Sequence, residues 1–197
     1  MTNEEMKSKL EQMLPTKRYL HSIGVAQEAI SLAKKYNINE QKAYIAGLLH
    51  DCAKYIDHDE SIKILEQSGI TVSIYEKMSS GLLHAPLGAI IAEKEFEIED
   101  KEILSAIKNH TTGKANMSDL DKIIYLADLI EPGRKYTEMA LLREKVYENL
   151  NIGMFYGLDF SIRYILYKKS LIHPNTIEAY NYIRINNEED LDIEGTR

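Results

Sequence analysis

Residues 41–53 read QKAYIAGLLHDCA, and this stretch decides the fold. It follows Asn39-Glu40, a helix-start signal, and it is largely apolar on every face of a 3.6-residue repeat. A helix that is apolar all round belongs inside the molecule, so the spacing predicts a central buried helix over residues 41–53. That helix ends in two ionisable residues, His50 and Asp51. Neighbouring residues on a helix point about 100° apart, so the two cannot share one apolar interface comfortably. Buried ionisable groups need partners or a metal. A helix-end salt bridge and a divalent ion would each satisfy them.

Outward from this segment the same period recurs. Met6, Leu10, Met13 and Leu14 form a short stripe closed by Pro15. Thr16 to Tyr36 carries Tyr19, Ile23, Ala26, Ile30 and Ala33 on one stripe, with His21, Val25, Glu28 and Leu32 opposite. Helices are expected over 59–67, 72–78, 87–96 after Pro86, and 100–109. His84 is expected to lie between helices, fixed by Pro86. A loop should cover residues 111–116. Ser118 with Asp121 approximates a capping box and opens a helix to Ile130, stopped by Pro132-Gly133. The last patterns run over 138–149, 151–172 and 176–185. No series of alternating strands appears. The expectation is an all-α fold: nine to eleven helices packed as a single domain over residues 15–185. Residues 1–14 would be an N-terminal helix packed on it, and 186–197 a frayed acidic tail.

Bulk composition narrows the function classes. The chain has 197 residues, enough for one substantial core. Its 24 Lys and Arg against 31 Asp and Glu give a net charge of −7, which argues against long nucleic acids or anionic membranes as partners. Small phosphorylated ligands remain open, because a metal supplies its own positive field. One cysteine, Cys52, rules out an intramolecular disulfide and fits a reducing compartment. No signal peptide and no apolar run of roughly 18 residues is visible. The cytoplasm is the expected location.

Beyond the His50-Asp51 pair, four other segments could carry chemistry. His110 ends the stripe Ile103, Ile107, His110, ahead of a Gly-containing loop. Asp128 interrupts an apolar helix, where a lone carboxylate is costly unless coordinated or hydrogen-bonded; a neighbouring Tyr could also satisfy it. His21 and His84, taken singly, read more readily as structural histidines. Cys52 reads as core packing, His58 as a surface residue and His173 as a helix end. No local spacing rule joins these residues, which come from separate helices and junctions.

Taken in order, the segments resemble a known family. They are Lys17-Arg18-Tyr19-Leu20-His21, then Gly47-Leu48-Leu49-His50-Asp51-Cys52-Ala53-Lys54, His84-Ala85-Pro86-Leu87-Gly88, Lys108-Asn109-His110-Thr111-Thr112-Gly113 and Ala127-Asp128-Leu129-Ile130-Glu131-Pro132-Gly133-Arg134. The order His, His-Asp, His, His, Asp resembles the HD superfamily of metal-dependent phosphohydrolases, and within it the YqeK-like family. The resemblance implies two divalent or mixed-valence metal ions, iron above all, with manganese or zinc as alternatives. By it, His21, His50, Asp51 and Asp128 would hold one ion and His84 and His110 the second, with Asp51 bridging. Family members are similar to symmetrical diadenosine tetraphosphate hydrolases, which release two ADP. Cys52 stands where an aliphatic residue is usual.

For the polyphosphate, Arg18, Lys54 and Lys114 are the expected contacts and, with Asp51, the expected catalytic set. Arg134, His84 and the hydroxyls of Thr111 and Thr112 are further substrate contacts. Asp128 could also orient the attacking water. Tyr19, Tyr55, Tyr75 and Tyr136 are candidates to stack on a base. Two rivals stand beside this reading. One is a phosphohydrolase of the same fold acting on dNTPs, nucleoside monophosphates or a cyclic dinucleotide, although the chain lacks the Gly-Tyr-Pro expected of the last. The other is a non-catalytic nucleotide-sensing domain, which would normally have lost a ligand. Tyr-rich late helices, from Tyr147 to Tyr167, could pack inward or form a homodimer face.

Overall fold

The computed structural model describes residues 1–187 and 191. Among the described residues there are eleven helices and no strand. In chain order they are α1 (Asn3–Met13), α2 (Thr16–Tyr36), α3 (Glu40–Leu49), α4 (His58–Gln67), α5 (Ile74–Lys77), α6 (Ser80–Glu95), α7 (Lys101–Asn109), α8 (Asp119–Ile130), α9 (Met139–Glu148), α10 (Leu150–Tyr167) and α11 (Pro174–Asn186). The all-α expectation of nine to eleven helices holds. The expected tail, 186–197, falls almost wholly outside the described residues.

Local chemistry sets most boundaries. Asn39, Asp100 and Ser118 cap α3, α7 and α8 by accepting backbone N–H groups, and Ser118 with Asp121 completes a capping box. Asn37 ends α2 in the left-handed region, at φ 56°. His173 caps α11, whose first residue is Pro174.

The central helix is α3, with Ala43, Ala46, Leu48 and Leu49 fully buried. It packs on α2, α7 and α8. Small residues let α2 and α3 approach closely: a Cβ on Gly47 would stand 2.9 Å from the Cα of Ala26. α1 lies against α2 and α3 and adds Met6 and Leu10 to the core.

Four expectations need correction. α3 stops at Leu49, not at Ala53. Beyond it the chain tightens into three-residue turns, with Cys52 N–H on the Leu49 carbonyl and Lys54 N–H on that of Asp51. That tightening lets His50 and Asp51 both face inward. Pro86 does not open a helix: α6 runs through it from Ser80, so His84 is a helical residue. A proline there forfeits one backbone bond, but Leu83, Ala85, Leu87 and Ala92 are buried to 1 % exposure or less, and packing outweighs the loss. α10 ends at Tyr167, not at Ile172, because Lys169 turns left-handed at φ 52°. On α2 the buried stripe is Ser22, Val25, Ala26, Ala29, Leu32 and Ala33, leaving Tyr19, Ile23 and Ile30 half-buried. The small residues face inward because α3 approaches too closely for large ones.

Candidate metal centre

Five segments converge where the C-terminal ends of α3 and α7 meet the second turns of α2 and α6 and the last turn of α8. His50 terminates α3 and His110 terminates α7. Each ring presents Nδ1 2.7 Å from the carbonyl three residues back, Gly47 for His50 and Ile107 for His110. Those carbonyls accept an Nδ1–H, which leaves Nε2 as a bare lone pair pointing into the cluster. His21 is held from the other side: its Nδ1 lies 3.1 Å from Glu131 Oε1.

Asp51 sits at the centre and is 2 % exposed. Its two oxygens divide the histidines. Oδ1 lies 3.0 Å from His84 Nε2 and 3.7 Å from His110 Nε2. Oδ2 lies 3.4 Å from His50 Nε2 and 3.9 Å from His21 Nε2. Asp128 Oδ1 completes the second group, 3.0 Å from His21 Nε2 and 3.9 Å from His50 Nε2. The Nε2 atoms of His21 and His50 are buried without a hydrogen-bond partner. His21 Nε2 is close enough to Asp128 for a hydrogen bond but not aligned for one, so both atoms aim at a common point. Donor sets drawn from His21, His50 and Asp51, from His50, His110 and Asp128, and from Asp51, His84 and His110 each place their ligand atoms within 4.8 Å of one another. Neutral imidazoles and carboxylates in this arrangement fit two adjacent divalent ions. The His/Asp clusters are consistent with a dinuclear metal site.

Cations surround the carboxylates. Arg18 Nη1 is 2.7 Å from Asp51 Oδ2, and Lys54 Nζ is 3.6 Å from Oδ1. Arg134 donates to both the Asp128 carboxylate and its backbone carbonyl. Burial resists the charged form of Asp51 and Asp128, but their neighbours outweigh it: His50 and the other histidines around Asp51, and His21, His50 and Arg134 around Asp128. Both carboxyls are held well below the usual range. His50 is raised, because the Asp51 and Asp128 charges overcome its burial. His84 is lowered to about 4, by burial first and by His110 and Lys54 beside it. Burial also lowers the Lys54 ammonium.

The structure brings Arg18, Lys54 and Arg134 to the cluster, and places Thr111 on the wall of the adjoining cavity. It does not bring Lys114 there: Lys114 Nζ is 3.3 Å from Asp121 Oδ2 and 3.1 Å from Ser105 Oγ. Thr112 donates its hydroxyl to the Gly113 carbonyl and is 9 % exposed. Of the tyrosines, Tyr55 and Tyr136 line the cavity beside His21, whereas Tyr75 lies against His173. Cys52 is buried, and burial pushes its thiol up. His58 is half-buried, with Nε2 3.1 Å from the Lys77 carbonyl.

Sequence reasoning missed two residues. Glu131, 6 % exposed, braces His21 and accepts the Gly133 N–H. Arg143 donates to the carbonyls of Ile130, Glu131 and Arg134, which fixes the turn carrying Glu131 and Arg134. A buried Glu just past a helix end was a legible signal; Arg143 left none.

Known proteins match this arrangement over most of their length. The HD domain family matches residues 18–133. The symmetrical bis(5'-nucleosyl)-tetraphosphatase of Halalkalibacterium halodurans is 40 % identical over 168 residues, covering 84 % of this chain and 88 % of that protein. The chain belongs to the YqeK-like HD-domain family of symmetrical bis(5'-nucleosyl)-tetraphosphatases. The Bacillus subtilis member is 32 % identical, over 93 % of this chain and 98 % of its own. A solved structure, described as a predicted HD superfamily hydrolase involved in NAD metabolism from Clostridium acetobutylicum, superposes with a TM-score of 0.91. It is 41 % identical and covers 94 % of this chain and 98 % of its own. The activity is that of a metal-dependent phosphohydrolase of the HD superfamily.

Proposed function

We propose that this chain hydrolyses dinucleoside tetraphosphates symmetrically, converting diadenosine tetraphosphate and water into two ADP. The observation that carries the reading is Asp51, whose two oxygens each face a separate pair of histidines. His21, His50, Asp51 and Asp128 would hold one ion, and His84 and His110, with Asp51 shared, the other. Iron is the proposed metal, since mixed nitrogen and carboxylate donors suit it. Two such ions would supply, when bound, a water of lowered pKa and would polarise phosphoryl oxygens.

The chain's own residues supply the rest. Arg18 and Arg134 carry planar forks suited to phosphate oxygens, and Lys54 adds a point charge over His84. Their charge offsets that of a tetraphosphate at a protein whose net charge is −7. Carboxylate Asp128 stands close enough to the cluster to orient a water. ADP is a stable leaving group when its terminal phosphate is gripped, so no separate proton donor is required. Among the described residues no helix is long and apolar enough to cross a membrane, and a cytoplasmic enzyme of small nucleotides is the setting that fits the single buried thiol.

The test incubates protein of measured metal content with diadenosine tetraphosphate and identifies the products. Two ADP per substrate are expected. ATP with AMP would overturn the assigned bond, and turnover of dNTPs alone would overturn the substrate. Metal analysis of protein grown with iron, manganese or zinc decides the ion.

A further inference from the structure

The centre lies between two cavities whose walls differ in kind. On the His21 side, a cavity of about 690 Å³ carries four cations, Lys17, Arg18, Arg134 and Lys135, with Leu20, Tyr55 and Tyr136 beside them. Its one carboxylate, Glu131, is turned to His21 and to the Gly133 N–H. On the His84 and His110 side, a cavity of about 270 Å³ carries two cations, Lys54 and Arg134, and is otherwise walled mainly by Leu82, Leu129, Phe160 and Ile165, with Tyr125 and Tyr164. Arg134 and Tyr136 line both cavities and mark their junction.

A dinucleoside tetraphosphate is symmetric, whereas this site is not. Cleavage at the middle of the chain requires one nucleoside diphosphate half on each side of the cluster. A flat base gains most from apolar and aromatic walls. A diphosphate gains most from guanidinium and ammonium groups. We infer that the more apolar cavity seats one nucleoside, while the more basic cavity holds the other half chiefly by its phosphates. The inference rests on the dinucleoside reading above and adds one consequence: the second nucleoside is dispensable. A nucleoside 5'-tetraphosphate is then also a substrate. Water's oxygen bonds to phosphorus on one side of the bridge between the second and third phosphates. The P–O bond on that side breaks, the bridging oxygen leaves with the other fragment, and the protons of water pass to solvent and product oxygens. The products are a nucleoside diphosphate and pyrophosphate.

The test compares adenosine 5'-tetraphosphate with diadenosine tetraphosphate on the metal-loaded wild-type protein, following products by phosphorus NMR. ADP and pyrophosphate are expected, with kcat/KM within about tenfold of the dinucleotide's, a difference below about 1.4 kcal/mol. Turnover of the dinucleotide with at least a hundredfold lower kcat/KM for the mononucleotide overturns the inference and leaves the parent reading standing. Release of orthophosphate from the mononucleotide also overturns it. Turnover of neither compound overturns the parent reading itself. Calorimetry of ADP and of pyrophosphate then assigns the cavities without relying on activity. Phe160→Ala is expected to weaken ADP about tenfold and leave pyrophosphate unchanged. Lys135→Ala is expected to weaken pyrophosphate several-fold, less so at high salt. Equal weakening of both ligands by either substitution overturns the division of labour.

Discussion

Two pairs of histidines meet at Asp51, and they are held in different ways. His50 and His110 stand at helix ends, and each finds its Nδ1 acceptor in its own last turn, at Gly47 and Ile107. His21 and His84 lie inside α2 and α6, where the carbonyls are already used by the helix. His21 takes its acceptor from Glu131, 110 residues away in sequence, and His84 has Lys54 beside its ring. The difference follows from helix chemistry. The last four carbonyls of a helix lack intrahelical partners, so a histidine there is oriented by its own backbone. A histidine in mid-helix must borrow its orientation from another element. Each oxygen of Asp51 faces one histidine of each kind, so the bridge joins a self-held ligand to a borrowed one on both sides.

The largest expected effect tests that bridge. Asp51→Ala should remove metal from both pairs and abolish hydrolysis, a loss exceeding the ~10–100-fold that an outer partner's removal costs. Helical circular dichroism should survive, because the side chain sits in the turn after α3 and not in the apolar core. Metal content falling by half, with one ion retained, would show that the two pairs bind independently.

The pairs also differ in how they answer pH. In metal-free protein His84 has a folded pKa of about 4 against the ordinary 6.5. A lowered pKa means that the unfolded chain binds the proton first. The stabilisation is therefore complete above about pH 6.5 and is lost as pH falls towards 4, to the extent of roughly 3 kcal/mol. His50 is shifted the other way. Its contribution is complete below pH 6.5 and disappears only as pH rises through its folded value. Asp51 and Asp128, both lowered, add their loss at more acid pH still. From pH 6.5 down to about 5, then, the loss comes chiefly from His84, and below that the lowered carboxylates join it. Thermal unfolding of the metal-free protein across this window should show it, and His84→Gln should flatten it. An unchanged slope in the variant would assign the effect elsewhere.

The same contrast explains what the sequence disclosed. Helix number and most starts were legible, because Asn39, Asp100 and Ser118 cap by contacts within three residues. The apolar 41–53 stretch placed α3 correctly at the centre, but its end was read four residues late. The turn after Leu49 is made by backbone bonds that composition does not encode. Pro86 misled for the opposite reason: its local cost is overridden by tertiary burial of α6. At the site, the residue types announced themselves while their partners did not. Lys114 looked like a phosphate contact because it follows His110 closely in sequence, yet the loop turns it to Asp121. Arg134 looked weaker across Pro132-Gly133, yet the turn gripped by Arg143 folds it back onto Asp128.

Glu131 gives a narrower test of borrowed orientation. Glu131→Ala should weaken metal binding about 10–100-fold, and Glu131→Gln should recover most of it, since an amide oxygen still accepts the His21 Nδ1–H. Gly133→Ala probes the same contact without removing the carboxylate. The added Cβ would stand 2.8 Å from Glu131 Oε1, so the acid must move. Equilibrium metal affinity is the direct readout, and nitrogen NMR of the histidine rings reports the tautomers. The His50 and His110 signals should keep the Nδ1–H form in all three variants, while His21 changes in Glu131→Ala and Gly133→Ala and keeps it in Glu131→Gln. If His21 keeps its tautomer and the affinity is unaltered, a mid-helix ligand is as self-sufficient as a helix-end one.

The smallest effect is expected at Cys52, directly beside the bridge in sequence. Its thiol is 2 % exposed, lies 3.5 Å from the Gly88 carbonyl, and burial opposes its ionisation. Nucleophilic reactivity needs thiolate and access, and this site offers neither. The native protein should resist iodoacetamide, with labelling only after unfolding. Cys52→Ala should cost about 1 kcal/mol of stability from the small cavity left behind, with metal content and hydrolysis unchanged. The contrast with Asp51→Ala is then between adjacent residues. The turn that brings Asp51 between four imidazoles directs Cys52 into the packing against α6, so one step along the chain separates the reacting centre from inert core. Altered metal binding in Cys52→Ala would mean that this packing sets the position of the bridge.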